Sequence, residues 1–359
     1  MKRLVTRRTI LPAGIEFEVS GHTIDLAMVA HAAAVETLQV ALVAKGWVGM
    51  FGALLQPGSD TSPLVWSSNG PGGEAEIKRA YSGLFGRFFG RAVLRHEHGC
   101  LGLRQVRDGM QLAPGVTLQR RMPGIKGDLP DWVGWNPAKG CFSICEAKGS
   151  YAQASWTGKH PPILKAAGDQ LDRVQVVDSR GRLQTKDWVV ASRWGTAVSG
   201  KPTTIITKDP LTEGRALSPA EAARISREAY ALWFADLLDG LGRPALAAGL
   251  RRDGGLPGDD PGGDVSDIGG RGVYAAVAMD GLGVIPLRGA RRRERLDLLR
   301  GIAADADAKV ALVGIDAAAV RAAAARQWLP DDQPATVDDA GSVFSDGVLL
   351  TWDVDTITL

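Results

Sequence analysis

Two carboxylates and an ammonium group fall close together in the stretch LPDWVGWNPAKGCFSICEAKGS, residues 129–150. Apolar runs flank the turn NPAKG, so the stretch predicts a β-hairpin. Side chains alternate along a strand, which puts Phe142, Ile144, Glu146 and Lys148 on one face and Cys141, Ser143, Cys145 and Ala147 on the other. With a loop of Pro137 to Gly140, residue 136 opposes 141 and Asp131 opposes Glu146. Adjacent carboxylates repel and burial raises their pKa, so a cation belongs between them. A hard divalent ion held by carboxylate oxygens, a backbone carbonyl and water is the natural occupant, and magnesium keeps several waters and meets a substrate phosphate. Lys148 reaches the same space, where it can orient or deprotonate a water and offset charge on a pentavalent phosphorus. These are the parts of metal-assisted phosphodiester hydrolysis.

The elements that must position these groups are legible on both sides. Residues 73–95 carry Ile77, Tyr81, Leu84, Phe85, Phe88, Ala92 and Val93 at helical spacing, with Lys78, Arg79, Arg87, Arg91 and Arg95 on the opposite face. Gly83, Gly86 and Gly90 weaken that helix by about 1 kcal/mol each against alanine, and so point to another element packed closely on it. Strands are expected at 102–106, 114–120, 131–136, 141–148, 187–193 and 203–207, with a helix over 161–177. In that helix Gln170 falls between Ala167 and Leu171 on the inward face, where a polar side chain needs a partner. A later helix begins at Ser218, with Pro219 at its first position and Glu221 completing a capping box.

With these residues in place, the chain resembles the PD-(D/E)xK nuclease superfamily. Pro130 and Asp131 match the PD, and Glu146, Ala147 and Lys148 match the ExK across a hairpin. The resemblance implies an α/β fold with a restriction-endonuclease-like core, in the order α-β-β-β-α-β over 73–95, 114–120, 131–136, 141–148, 161–177 and 187–193. It implies that Asp131, Glu146 and the Ala147 carbonyl hold Mg2+ or Mn2+, that Lys148 assists the attacking water, and that Gln170 stands near the metal. Glu74 and Glu76, at the start of the first core helix, are candidates for a further carboxylate ligand, although they also complement the helix dipole. The expected activity is Mg2+-dependent hydrolysis of nucleic acid, with DNA the expected substrate and endonucleolytic cutting the expected mode. A restriction-like or antiphage-defence role comes first, a recombination or repair nuclease second, and an inactive nucleic-acid-binding or scaffold subunit is the reading from a different class.

A rival metal set is His96, His98, Cys100, Cys141 and Cys145. Zinc takes such ligands, but Cys141 and Cys145 stand about 13 Å apart along an extended strand and cannot share one ion without a bend. Arg104, Arg107, Arg120, Arg121, Lys126, Lys139, Trp156, Lys159 and Lys165 surround the hairpin, and with Trp132 and Trp135 they are read either as contacts to phosphates and unpaired bases or as core and solvated surface.

The chain of 359 residues holds 42 basic and 40 acidic side chains, so its net charge of +2 announces no nucleic-acid binder and any polyanion site must be local. Its 45 glycines and 19 prolines imply many turns. The expected organisation is an N-terminal helical segment over 1–70, a nuclease-like core with its following helix over 71–250, a Gly/Asp-rich linker over 251–270, and a small α/β domain over 271–359. That last domain, acidic after Arg326, is expected to bind a protein partner or a second copy, or to regulate access to the core. Three cysteines, no uninterrupted apolar span and no leader-like start make a cytoplasmic protein without membrane contact the expectation.

Overall fold

The N-terminal residues KRLVTRRTI and EFEVSGHTID mix β-branched with polar side chains and form an antiparallel pair, β1 (Lys2–Ile10) and β2 (Glu16–Asp25). The structure, a computed structural model, describes residues 2–39, 51–151 apart from 52, 72, 123 and 125, 161–252, 265–268, 271–279, 283–287, 294, 297, 301, 310–327, 336–337, 341–343 and 348–351. It is a mixed α/β protein of two units, residues 1–32 with 48–226 and residues 33–47 with 227–359. The helical segment expected over 1–70 is therefore corrected: the first helix, α1 (Leu26–Gln39), follows two strands.

In the first unit the chain continues through α2 (Ala75–His96), β3 (Leu101–Gln105), β4 (Met110–Ala113), β5 (Val116–Arg120), β6 (Trp132–Asn136) and β7 (Cys141–Ser150). After these come α3 (Pro162–Leu171), β8 (Val174–Asp178), β9 (Gly181–Arg182), β10 (Trp188–Arg193), β11 (Thr204–Lys208) and the start of α4 (Pro219–Gly240). Seven strands make a mixed sheet in the order β2-β1-β11-β10-β7-β6-β3, in which β7 runs parallel to β10 and β1 parallel to β11. Both α2 and α3 pack on β7 and β10. The strand expected at 114–120 is not part of this sheet. As β5 it joins β4, β8 and β9 in a second, four-stranded sheet, and the strand beside β6 is β3.

The helix expected over 161–177 stops at Leu171, because VQVV is β-branched at every second position and pairs with β5 as β8. The capping box holds as read: Ser218 donates its N–H to Glu221 Oε2 at 2.9 Å and Glu221 donates its N–H to Ser218 Oγ at 3.3 Å.

The second unit contains the rest of α4, then α5 (Pro244–Arg251), β12 (Ser266–Ile268), β13 (Arg271–Met279), β14 (Gly283–Pro286), β15 (Val310–Asp316), α6 (Ala317–Ala324), β16 (Thr336–Val337), β17 (Gly341–Val343) and β18 (Val348–Thr351). Its described strands form an antiparallel sheet in the order β12-β13-β15-β18-β17-β16, with β14 on β13. β12 falls at the end of the expected linker and is a strand paired with β13, while 253–264 of that linker lie outside the described residues. The unit boundary falls within α1 and α4 and not at 251–270. The acidic residues after Arg326 also lie outside the described residues. No described helix is long and apolar enough to cross a membrane.

Candidate functional site

β6 and β7 pair in the register Trp132↔Cys145 through Asn136↔Cys141, across a turn at 137–140 in which Gly140 takes the left-handed φ of +62°. Asn136 pins the turn, accepting the Lys139 N–H at 3.1 Å and donating Nδ2 to the His98 carbonyl at 3.0 Å. One step beyond the ladder Asp131 stands opposite Glu146, where side chains replace backbone pairing. Asp131 donates its N–H to Glu146 Oε2 at 3.0 Å, and Ala147 donates its N–H to Asp131 Oδ2 at 2.8 Å. On the other side the Asp131 carbonyl accepts the Val106 N–H at 3.2 Å.

The electrostatics follow from this closeness. Glu146 is 1% exposed. Burial first, and then the neighbouring Asp131 carboxylate, push its carboxyl up to about 7, against the opposing pull of Lys148 and the Asp131 N–H. Lys148 Nζ pairs with Glu146 Oε1, and Arg87 of α2 pairs with Asp131 Oδ1. The Arg87 guanidinium lies 4.8 Å from the centroid of the Trp132 ring, within cation–π range. Each carboxylate thus meets a backbone donor and a cationic side chain.

Two glycines bring α2 this close. A Cβ on Gly90 would meet the Ala147 Cβ at 2.7 Å, and one on Gly86 would meet the Gly149 nitrogen at 2.6 Å. The close packing expected from the glycines therefore holds at Gly86 and Gly90 but not at Gly83, which has nothing within 4 Å. The α2 backbone lies on the Ala147 face of β7, and Arg87, next to Gly86, reaches the strand end.

Gln170 is buried in α3 and donates Nε2 to the Leu129 carbonyl at 3.3 Å, two residues before Asp131. Arg173 donates to the Asp128 carbonyl at 2.7 Å, so the end of α3 holds the segment leading into β6. Glu74 and Glu76 are not brought to the pair. Both are exposed, and they lie about three turns before Arg87, roughly 16–20 Å along the axis at 1.5 Å per residue. The first-helix side chain that does reach Asp131 is a cation. Sequence reading placed Arg87 on a basic rim; its position beside Gly86 was the signal that it would sit against the strand.

Trp132 and Trp135 are both buried and belong to the core. Trp156 and Lys159 lie outside the described residues. Arg104 and Arg121 donate to the carbonyls of Gln111 at 3.0 Å and Val174 at 2.9 Å and so brace the main chain. In the rival set, burial pushes the Cys141 thiol up to about 11 and raises Cys145, which also contacts Cys100. The His98 ring stacks on Trp188 at 3.8 Å between centroids.

No family model, curated protein or solved structure matches the chain. The site therefore stands on its own geometry. Among the described residues no three His, Cys, Asp or Glu side chains gather as a metal site. Asp131 and Glu146 offer two carboxylates, and magnesium uses one or two carboxylates with waters and a substrate phosphate. Those two carboxylates would suit a hard divalent cation, and such an ion would favour the ionised form of Glu146, whose carboxyl burial pushes up.

Proposed function

We propose that the protein is a Mg2+- or Mn2+-dependent nuclease that cleaves phosphodiester bonds of nucleic acid, with DNA as substrate and internal cutting as its mode. The observation that carries this reading is the Asp131–Glu146 pair, in which Glu146 accepts the Asp131 N–H, Asp131 accepts the Ala147 N–H and Lys148 flanks Glu146. The finer fold reading goes with it: α2, β3, β6, β7, α3 and β10 are taken as a restriction-endonuclease-like core. A cytoplasmic restriction-like or antiphage role is the biological setting we favour, with recombination or repair second.

In this reading Asp131, Glu146 and the Ala147 carbonyl hold the metal ion, which supplies Lewis acidity at a phosphate oxygen. Lys148 orients the attacking water by hydrogen bonding and offsets charge gathering on the phosphoryl oxygens. The water oxygen bonds to phosphorus as the bond from phosphorus to the leaving sugar oxygen breaks; one water proton passes to solvent and the leaving oxygen takes one up. Gln170 acts through Leu129 as a positioning residue for Asp131.

The test is a panel of duplex and single-stranded DNA and RNA, incubated with Mg2+ or with EDTA. Wild type should cleave only with Mg2+, and Asp131→Ala and Lys148→Ala should lose cleavage while keeping their fold. Full activity in either variant would sink the mechanism. Binding without cleavage by the wild type across the whole panel would favour a non-catalytic subunit.

A further inference from the structure

We propose that Arg87 is an exchangeable cation of this site: it closes the Asp131 carboxylate when no metal is present, and a divalent ion displaces it onto a non-bridging oxygen of the substrate phosphate. The inference rests on the nuclease reading for its second half and on geometry alone for its first.

Three observations support it. First, Arg87 and Lys148 each pair with one of the two carboxylates, so with both carboxylates ionised these four groups carry no net charge. A dication added to them raises that charge by two and so draws a polyanion toward the site. Second, Asp131 keeps its Oδ2 bond to the Ala147 N–H whatever happens at Oδ1, so losing Arg87 does not release the carboxylate from its place. Third, the two arginines near Trp132 differ. Arg91 is buried and donates to the Leu103 carbonyl at 2.7 Å, which fixes it as part of the fold. Arg87 keeps 26% of its side chain exposed, and the buried ring of Trp132 beneath it is a rigid platform on which the guanidinium can turn outward.

A planar guanidinium suits both partners, because its donors match the paired oxygens of a carboxylate and of a phosphate. The exchange also orders the reaction. Metal binds first, and the arginine it releases then helps to hold the phosphate it will act on.

The test uses the full chain as wild type, Arg87→Met and Arg87→Lys, with unchanged circular dichroism and thermal midpoint confirming folding. Mn2+ binding is measured without nucleic acid by electron paramagnetic resonance of the free ion, and cleavage is measured in single turnover at saturating Mn2+. Removing the competing cation should tighten Mn2+ binding by about tenfold in Arg87→Met, while cleavage at saturating metal falls about a hundredfold. Arg87→Lys keeps the charge and should stay within about threefold of wild type for Mn2+. Unchanged or weaker Mn2+ binding in Arg87→Met would overturn the proposal even if the wild type cleaves DNA. Tighter binding with undiminished cleavage would overturn the phosphate half. Tighter Mn2+ binding together with a wild type that cleaves nothing would uphold the exchange at the metal and remove the nuclease reading.

Discussion

Gly86 of α2 lies against Gly149 of β7 so closely that a Cβ on Gly86 would stand 2.6 Å from the Gly149 nitrogen and 2.8 Å from the Lys148 carbonyl carbon. The helix that supplies Arg87 and the strand that supplies Glu146 and Lys148 are therefore in backbone contact. Gly86→Ala should cost about 2 kcal/mol, within the usual range for overpacking a core. Gly83→Ala, three residues earlier and facing open space, should instead stabilise by about 1 kcal/mol through helix propensity. Urea denaturation of the two variants measures the contrast, and equal effects would mean that α2 does not sit on β7 as described.

Glu146 must lose a proton before it can serve as a metal ligand, and its carboxyl is pushed up to about 7, first by burial and then by Asp131. Protons and metal therefore compete across neutrality. Mn2+ affinity should rise as pH goes from about 6 to 8 and level off above that, an effect that Glu146→Gln should abolish. Titration of Mn2+ binding at several pH values reads this directly.

Asp187 gives a stability effect of the opposite sense. Burial raises its carboxyl from 3.8 to about 6, against hydrogen bonds from Thr185 and the Ile144 backbone. A carboxyl with a raised pKa keeps its proton in the fold after the unfolded chain has lost it. Its contribution is thus most favourable below about pH 4, declines as pH climbs to about 6, and stays reduced above, a change of about 3 kcal/mol. Asp187→Asn should match wild type near pH 4 and exceed it above pH 6 in chemical denaturation, since an amide can accept the same hydrogen bonds without ionising.

Gln170→Ala removes the bond to the Leu129 carbonyl and loosens the approach to Asp131. The expected outcome is a loss of about 1 kcal/mol in stability and a weakening of Mn2+ binding by about tenfold, as for other groups that orient metal ligands. Gln170→Glu cannot donate to that carbonyl as a carboxylate and should not restore binding. An alanine variant with unchanged Mn2+ affinity would confine Gln170 to packing.

The hairpin was the most legible part of the chain, because a Gly-containing turn between apolar runs fixes register and register alone puts Asp131 opposite Glu146. The capping box at Ser218 was legible for the same reason: its bonds are local. What sequence missed was non-local. β1 is held by β11, nearly two hundred residues away, and nothing near Lys2–Ile10 indicates a parallel partner at Thr204–Lys208. The strand at Val116–Arg120 was recognised as a strand but assigned to the wrong sheet, because period tells faces and not neighbours. Arg87 stood in plain view on a basic helix face, yet only the docking of Gly86 and Gly90 decides which of the arginines meets a carboxylate.

The turn at 137–140 acts as a ruler. Its exposed residues Pro137, Ala138 and Lys139 touch nothing in the site, so exchanging their side chains should matter little. Deleting one of them is a different event. The strands must then either re-pair with Asp131 against Cys145, which turns buried Trp132 toward the wrong face, or give up the first rung beside Asn136. The spacing between the two carboxylates is in this way stored in the length of a segment whose letters are nearly free to vary, and deletions rather than substitutions will mark it in a mutational scan.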